Sequence, residues 1–556
     1  MLLAALMGLF TLPFSSFVAD DFIQLGILER VSPCTWTGPL ELYTISDGLP
    51  EHMRIMKDAG AFPWFFDPEF KMAFFRPLSS ALLALDHTLF GLNPLGYRIH
   101  SLLWFLLLVA GVGLLLRRVL PGPLGTLALF LFTISGIHGT LCWTATRHIV
   151  IAAAAGLLAL FWHVRWRMEG WRPGRILSVA GFALSLAASE AAIGVVAYLF
   201  AYEAFGAPGS RGNRLKAAAP ALAVVVSYLL LYKFLGLGAS GGSGYLDPLK
   251  DPFAFLVRLP GRLLILAGAT VAGGNADLWV IRPDLRTVMV FVGGFFVVLL
   301  AALLRVVWTS AAPSERRAVR WLIVGALASA VPFAGTPIGS RCLVVPLVGG
   351  SAAIALVLHR WWTVLRRKPR VGYRLVGAVC ACLAFLHLVL APIQQLSSAF
   401  VLRRMMHERL VSAMEEADLD REHIGEQSVV LLKAPDLAVG FHSYFYRRLY
   451  RLPMPASWRA LSWTRCDHRF HRTAPDTLEM ELVGGELETP YFATGDTIEL
   501  DGMWVTVLGV GRNGPTRVEF RFNKALEDPS FCFLAWREGR LQRVKPPPLG
   551  ESLLLP

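Results

Sequence analysis

The sequence predicts a polytopic α-helical membrane protein that ends in a β-rich domain. Composition is the first reason: the chain has 556 residues, of which 55% are hydrophobic and only 17% are charged, and its mean hydropathy is +0.52. Soluble domains carry about 25% charged residues, so this chain has more apolar surface than one globular core can bury. The second reason is a change of pattern near residue 392, where charges, turn residues and alternating runs replace long apolar stretches.

Apolar stretches of spanning length predict about eleven membrane crossings, near residues 1–18, 97–116, 123–138, 148–164, 174–188, 190–206, 215–235, 286–307, 320–336, 341–360 and 371–391. A further stretch, 253–273, contains two arginines and a proline. Short loops rich in Lys and Arg favour the cytoplasmic side. All such loops reach that side only if 253–273 lies along the membrane or re-enters it. These loops are "LRRVLPG", "RWRMEGWRPGR", "GSRGNRLK", "SERRAVR" and "RRKPR".

This orientation places the N-terminus in the cytoplasm. It predicts a transmembrane domain at 1–391, with outer loops at 19–96 and 236–285, and an extracytoplasmic domain at 392–556. The expected location is a bacterial inner membrane, and the first stretch is taken as retained because it lacks the basic start of a signal peptide. The formal net charge of +13 is explained by the cytoplasmic loops. No basic tract alternates with aromatic residues as in a nucleic-acid groove, so no nucleic-acid partner is expected.

The predicted extracytoplasmic domain begins with a helix and continues as β-strands. "APIQQLSSAFVLRRMMHERLVSAMEEAD" extends the last crossing as a helix. Alternating runs separated by Gly, Asn and Asp turns predict strands, and they include "SVVLLKAP", "TLEMELVGG", "DTIELDGMWVTVLGV" and "TRVEFRFN". Cys466 and Cys532 fall in this domain. An oxidising compartment would allow a disulfide between them, and the sequence leaves that question open.

Two adjacent acids, Asp20 and Asp21, follow the first apolar stretch in "FVADDFIQLG". These acids can have a purely structural role, because any helix that leaves lipid needs polar residues. They can also have a catalytic role. Repulsion between neighbouring carboxylates makes one of them a better proton acceptor, and a carboxylate held at a fixed depth can serve as a general base. The sequence therefore favours Asp20 and Asp21 as catalytic residues.

Other charged residues lie near the outer ends of the predicted crossings. Glu190 stands between two apolar runs, where an acid is costly unless it is paired or hydrated, so a functional role is the first hypothesis. Guanidinium groups bind phosphate, although an arginine at the end of a span also commonly reaches lipid headgroups. No group of residues has metal-ligand spacing, so no metal site is predicted. The set comprises Arg76, Arg98, His100, Arg147, His148, Glu190 and Arg341.

The order and spacing of these residues resemble the GT-C glycosyltransferases. The acidic pair is followed by "FRPLSSALLALDHTLFGLNPLGYRIHSLLW", and further similar segments are "WTATRHIVIAAAAGLLALFWHVRWR", "ASEAAIGVVAYLFAYE" and "GSRCLVVPLVGG". The likeness is greatest to the protein O-mannosyltransferase-like branch and its bacterial relatives. It covers about residues 1–390, and it depends on the order of the segments because no single motif is specific.

The resemblance implies a GT-C-like fold and an inverting transfer of a sugar from a polyprenyl-phosphate-linked donor to a hydroxyl of a protein, lipid or glycan acceptor. It implies that Asp20 is the base, with Asp21 as its neighbour. No cofactor is required, and participation of a divalent cation is left open. The resemblance implies phosphate binding by Arg76 and Arg341 and a cavity lined by Arg147 and Glu190. We expect Arg147 to bind the donor phosphate as well, and we expect His148, Arg98 and His100 to line the cavity because they lie near the outer interface.

Three alternatives are compatible with the same hydropathy. A lipid or polysaccharide transporter should carry ionisable residues near the middle of the bilayer, whereas here they lie mostly toward one face. A membrane-anchored assembly protein would work through its β-rich tail. An O-antigen ligase should centre on a long late outer loop instead of an early acidic one. These contrasts favour the glycosyltransferase.

Overall fold

A computed structural model describes residues 1–33, 36–242, 244–364 and 371–556. It confirms a helical body and a strand-rich C-terminal part. The α-helices are α1 (Leu2–Thr11), α2 (Asp20–Leu28), α3 (Pro50–Asp58), α4 (Pro77–Phe90), α5 (Pro94–Val119), α6 (Pro123–Thr133), α7 (Arg147–Glu169), α8 (Pro173–Ala188), α9 (Ala192–Phe205), α10 (Arg211–Phe234), α11 (Pro252–Ala272), α12 (Leu278–Ile281), α13 (Arg286–Trp308), α14 (Pro313–Phe333), α15 (Leu347–Thr363), α16 (Val371–Phe385), α17 (Ala391–Met406), α18 (Ser412–Glu415) and α19 (Leu437–Leu449). The strands are β1 (Thr44–Asp47), β2 (Lys71–Ala73), β3 (Gly238–Ser240), β4 (Ser428–Lys433), β5 (Ser457–Ala460), β6 (Asp467–Ala474), β7 (Thr477–Val483), β8 (Thr497–Leu500), β9 (Met503–Val510), β10 (Pro515–Phe522), β11 (Phe531–Arg537), β12 (Arg540–Arg543) and β13 (Ser552–Leu555).

The chain forms two compact units, each built from segments that are distant in sequence. Unit 1 comprises Met1–Ser16, Phe74–Leu237 and Gly244–Val401. Unit 2 comprises Phe17–Ala73, Gly238–Ser243 and Leu402–Pro556. The C-terminal tail therefore shares its unit with most of the predicted outer loop 19–96, including both members of the acidic pair.

Apolar helices make the chain an integral membrane protein. In the described part of the chain, six helices are long and apolar enough to cross a membrane, and a pair bent by 44° (Pro123–Thr133 with Gly136–Cys142) brings the number to seven if it forms one span. Three shorter apolar helices cover Leu2–Phe14, Pro173–Ala188 and Ala192–Phe205. The six long helices are Pro94–Val119, Thr144–Glu169, Arg211–Phe234, Pro252–Ala272, Pro283–Trp308 and Arg374–Glu415.

The predicted crossings are helical over most of their lengths, but the number eleven is not confirmed. The first helical segment ends at Phe14, which leaves it short of the roughly 20 residues that a span needs. The stretch 253–273 forms one continuous helix, α11, with spanning length and hydropathy. This favours a full crossing over the interfacial or re-entrant placement that the charge pattern predicted. The basic loop at 366–370 lies outside the described residues.

The ends of α4 and α5 follow from their sequences and place two of the predicted site residues. Pro77 is the first residue of α4, where its fixed φ and missing N–H cost nothing, so Arg76 stands just before the helix. In "GLNP", the side chain of Asn93 accepts a hydrogen bond from Leu95 N at 3.1 Å and caps α5. Arg98 therefore lies in the first turns of α5.

The described residues of unit 2 form three sheets. A six-stranded antiparallel sheet has the order β13-β6-β7-β10-β9-β8, a four-stranded sheet has the order β12-β11-β4-β5, and a three-stranded sheet has the order β1-β2-β3. In the four-stranded sheet, β4 pairs in parallel with both β11 and β5. The alternation read from the sequence is confirmed in β10, where Val518, Phe520 and Phe522 are buried and Arg521 is exposed.

The segment 17–73 contributes to the hydrophobic core of unit 2. Trp64 and Phe65 are buried with Phe470 and Phe520 of the six-stranded sheet, and the indole of Trp64 donates to Leu461 O at 2.9 Å. Because of these contacts, the segment 17–73 is not a free loop. The segment is a structural part of the strand-rich unit.

The disulfide that the sequence left open is not formed. Both Cys466 and Cys532 are free thiols. The physical reason is their placement: Cys466 directly precedes β6 of the six-stranded sheet, whereas Cys532 is buried in β11 of the four-stranded sheet.

Candidate functional site

Arg76 forms a bidentate ion pair inside the helical body of unit 1. Its Nε donates to Glu190 Oε2 at 2.9 Å, and its Nη2 pairs with the other carboxylate oxygen. The guanidinium carbon lies 4.3 Å from the ring centroid of Phe74. Arg76 is only 8% exposed, so the carboxylate supplies the counter-charge that an apolar environment requires.

His148 and Ser189 close a ring of hydrogen bonds around this pair. His148 Nε2 lies 3.1 Å from Arg76 Nη1, and a guanidinium can only donate, so Nε2 is the acceptor and Nδ1 carries the proton. Nδ1 then donates to Ser189 Oγ at 2.9 Å. The hydroxyl in turn lies 3.4 Å from Glu190 Oε2. The predicted residues Arg76, His148 and Glu190 thus meet in one network, which we call the Arg76 ring.

Arg341 and two tyrosines interact electrostatically with members of the Arg76 ring. Arg341 follows a loop in which its Nη2 donates to Pro337 O at 3.2 Å, and it is close enough to His148 for its charge to act on the imidazole. Tyr228 and Tyr232 of α10 lie near enough to Glu190 to interact electrostatically with its carboxylate. The predicted phosphate-binding residues Arg76 and Arg341 therefore approach the same histidine.

Arg147 belongs to a second buried network, centred on Asp86. The guanidinium pairs with Asp86 Oδ2 at 2.5 Å, and these side chains are 3% and 1% exposed. His100 Nδ1 lies 2.5 Å from Asp86 Oδ1, and Trp104 Nε1 donates to His100 Nε2 at 2.9 Å. Because an indole only donates, His100 accepts through Nε2. Its Nδ1 therefore carries the proton and donates a hydrogen bond to Asp86. Because both members of the pair with Asp86 are buried, the structure does not favour the predicted role of Arg147 in phosphate binding.

Asp86 was missed by the sequence analysis although its signal was present. It stands alone as an acid within the apolar helical run "ALLALDHTLF", where an ionisable residue is costly without a partner. Arg98 joins neither network. It donates to Leu141 O, to Thr11 Oγ1 at 3.0 Å and to Cys142 Sγ at 2.5 Å.

The acidic pair begins α2 in unit 2, and its two members have different surroundings. Asp21 is 2% exposed, and its Oδ2 accepts a hydrogen bond from Val18 N at 2.9 Å. Ala19, which directly precedes Asp20, has φ of +48°, a conformation that is strained for an L-residue. The side chain of Asp20 is 36% exposed. Asp21 therefore stabilises the entry to the helix, and Asp20 is the carboxylate that a substrate can reach.

A histidine that the sequence analysis did not select lies beside Asp20. His442 is 3% exposed in the side chain, and its Nε2 lies 3.6 Å from Asp20 Oδ1. Neither ring nitrogen has a hydrogen-bond partner in the described parts of the chain. The helix α19 that carries His442 was not predicted. Its signal was Asp436 before an amphipathic run, and this carboxylate caps α19 by accepting from Ala438 N at 3.0 Å.

Lys57 is buried in unit 2 and is held by main-chain carbonyls. Its ammonium group donates to Trp64 O at 3.0 Å and to Phe66 O. Burial lowers the pKa of Lys57 to about 8, and the negative charge of Asp67 opposes this shift. Arg459 is held in the same manner, because its guanidinium donates to Asp58 O at 3.0 Å and to Lys57 O. These contacts join the segment 17–73 to the C-terminal tail.

The two units therefore offer different chemistry. Unit 1 holds guanidinium groups that suit an anion such as phosphate. Unit 2 holds a reachable carboxylate beside a buried imidazole, a combination that suits proton acceptance. Among the residues described by the structure, no group of three or more His, Cys, Asp or Glu side chains could hold a metal ion.

No protein-family model matches the sequence, and no curated protein matches it. It is similar to the solved structure of ArnT from Cupriavidus metallidurans bound to undecaprenyl phosphate, with 14% identity over 76% of this chain and 84% of that chain and a TM-score of 0.33. Archaeal oligosaccharyltransferase AglB from Archaeoglobus fulgidus, in complex with an inhibitory peptide and a dolichol-phosphate, is 14% identical over 82% of this chain and 64% of that chain, with a TM-score of 0.40. Both are GT-C superfamily proteins, the family that the sequence resembles.

Proposed function

We propose that the protein is an inverting glycosyltransferase that moves a sugar from a polyprenyl-phosphate-linked donor to an acceptor hydroxyl outside the cytoplasm. The observation that carries the proposal is the Arg76 ring. Ionisable side chains inside an apolar helical body are costly and are a functional hypothesis by default. A guanidinium with a second one in electrostatic range of the same histidine suits a lipid phosphate. That the phosphate carries a sugar is inferred from the sequence resemblance.

Arg76 and Arg341 are the proposed phosphate ligands. The leaving polyprenyl phosphate gains negative charge as its bond to the sugar breaks, and preorganised guanidinium groups stabilise that charge. Glu190 and His148 hold Arg76 in a fixed orientation before the donor arrives. Arg147 is assigned a supporting role because both members of its pair with Asp86 are buried, whereas Glu190, the partner of Arg76, is 28% exposed.

Asp20 is the proposed base. The acceptor oxygen attacks the anomeric carbon and forms the new glycosidic bond as its proton passes to the Asp20 carboxylate. The bond between that carbon and the phosphate oxygen breaks, and its electron pair leaves with the polyprenyl phosphate. Displacement in one step inverts the configuration at the anomeric carbon. The exposed fraction of Asp20 and the buried position of Asp21 support this choice. That Asp20 and the guanidinium groups serve one reaction stays a prediction.

A panel of radiolabelled polyprenyl-phosphate sugars tests the proposal. Membranes that contain the protein should move label from at least one donor into a protein, lipid or glycan fraction, and that fraction identifies the acceptor. Asp20→Asn should lower the rate about 1,000-fold, within the range that general-base catalysis contributes. Glu51→Gln, which removes an exposed carboxylate of α3 in the same unit, should leave the rate unchanged.

Two outcomes would overturn the proposal. Absence of transfer from every donor would remove the enzymatic assignment, and movement of intact donor across the bilayer in the same membranes would support the transporter instead. Transfer at nearly the normal rate by Asp20→Asn would reject Asp20 as the base.

A further inference from the structure

His442 is an exception among the polar side chains on the buried part of α19. Ser443 Oγ donates to Val439 O at 2.5 Å, Tyr446 Oη lies 3.4 Å from Glu415 Oε1, and Arg447 donates to Pro453 O. In contrast, both ring nitrogens of His442 lack a hydrogen-bond partner among the described residues. Burying a polar group without a hydrogen-bond partner is costly, so an unpaired buried imidazole calls for an explanation.

The nearest charged group gives that explanation. His442 Nε2 lies 3.6 Å from Asp20 Oδ1, so a movement of a few tenths of an ångström completes a hydrogen bond. A carboxylate can only accept, so the imidazole proton must be on Nε2 in that bond. The imidazole is buried while the carboxylate is 36% exposed. The histidine is therefore the fixed member of the pair, and the aspartate is the member whose orientation is set.

Packing keeps His442 and Asp20 together. The rings of Phe22 on α2 and Tyr446 on α19 meet edge to face, with centroids 5.6 Å apart. The strained residue Ala19 then fixes where α2 begins. The two helices that carry the pair are thus held against each other by contacts that do not involve the pair itself.

We infer that His442 is a positioning residue for Asp20, and this inference rests on the proposed glycosyl transfer. Nε2–H of His442 binds Oδ1 of Asp20, which leaves Oδ2 directed toward the acceptor hydroxyl. The proton removed from the acceptor goes to Oδ2, and no bond to the imidazole changes during the reaction. Small errors in the placement of a catalytic group can lower the rate by up to about 100-fold, so removal of His442 should act on kcat.

The test compares two substitutions of His442 with a control on the same helix. His442→Leu removes the donor and should lower kcat about 30-fold with the KM for the lipid donor unchanged. In His442→Gln, an amide N–H occupies roughly the position of Nε2–H, so kcat should recover to within about threefold of the parent. Ser443→Ala removes a neighbouring buried hydroxyl whose bond lies within α19, and it should stay within about twofold.

The outcomes separate this inference from the proposed function. If the parent protein moves no label, the proposed function fails, and the inference falls with it. If the parent is active and Asp20→Asn is inactive, but His442→Leu equals the parent, only the inference is overturned. Equal losses in His442→Gln and His442→Leu would indicate a packing role and would also overturn it. Where His442→Leu does not insert, His442→Asn takes its place, because its amide lies nearer the position of Nδ1 and should not restore kcat.

Discussion

In unit 1 the buried guanidinium of Arg76 meets the carboxylate of Glu190, whereas in unit 2 the buried ammonium of Lys57 meets main-chain carbonyls. The same contrast separates Arg147, which pairs with Asp86, from Arg459, which donates to carbonyls. Carboxylate pairing cancels the charge, and an apolar helical body favours such pairing. Binding by carbonyls leaves the charge in place and joins segments of the chain.

The contrast has exceptions on both sides. In unit 1, Arg262 of α11 donates to the carbonyls of Ala334, Thr336 and Gly244, and Arg98 has no carboxylate among its described hydrogen-bond partners. In unit 2, the buried Arg472 pairs with Glu527.

Loss of charge compensation in unit 1 should have the largest effect. Glu190→Gln leaves the buried guanidinium of Arg76 without its counter-charge, and we expect the free energy of unfolding to fall by about 3–5 kcal/mol. Thermal unfolding in detergent measures the change. Glu169→Gln is the matched control, because Glu169 pairs with Arg118 and both side chains are about one-third exposed. Its cost should stay below about 1 kcal/mol.

The double variant Arg76→Met with Glu190→Leu sharpens this comparison. It removes both charges, so it should be destabilised less than Glu190→Gln alone. A loss equal to the sum of the two single substitutions would show that the pair is not a compensating unit.

A carbonyl-bound cation should make the stability of unit 2 depend on pH. Burial lowers the pKa of Lys57 to about 8 in the folded protein, from its ordinary value of 10.5. Below pH 8 the lysine is protonated in both the folded and the unfolded state, so it does not make the free energy of unfolding depend on pH. Between pH 8 and 10.5 the unfolded state binds more protons, so stability rises with pH, by at most about 3 kcal/mol.

Hydrogen exchange of peptides from unit 2, measured across this pH range, tests the expectation after correction for intrinsic exchange. Lys57→Met should remove the rise, whereas Lys524→Met, at an exposed lysine, should keep it. A rise of the same size in Lys57→Met would assign the effect to other groups and weaken the contrast between the units.

The smallest effect concerns the backbone before Asp20. Ala19 has φ of +48°, so Ala19→Gly should relieve strain and stabilise unit 2 by about 0.5 kcal/mol once the greater freedom of glycine in the unfolded chain is subtracted. Ala59→Gly is the control, because Ala59 has φ of −68° and glycine there should only destabilise. Thermal unfolding distinguishes the two, and a loss of stability in both variants would mean that Ala19 is not strained.

Much of the fold could be predicted because its signals are local. The start of α4 at Pro77, the cap at Asn93 and the alternation in β10 each depend on residues within one element. Helix and strand periodicities appear directly in such windows. The amphipathic helix α19 was not predicted, because its run of aromatic residues is also typical of a strand.

The pairings inside the candidate site could not be predicted in the same way. Arg76 and Glu190 are 114 residues apart, and nothing near either residue specifies the other. Three of the chosen residues do meet in the Arg76 ring, since the cost of a charge in an apolar run identifies residues that need a partner. The identity of the partner, as for Arg147 with Asp86, depends on tertiary packing.

The hydrogen bond from Trp64 to Leu461 spans 397 residues, and β13 near residue 555 completes its sheet by pairing with β6. During translation, the helix that carries Asp20 is therefore made hundreds of residues before its packing partners emerge from the ribosome. Such long-range closure is slow and leaves early segments exposed to chaperones and proteases. A premature stop codon in the last third of the message would remove residues that pack with α2 or complete the sheets of unit 2. Even late truncations should therefore produce a protein that the cell degrades.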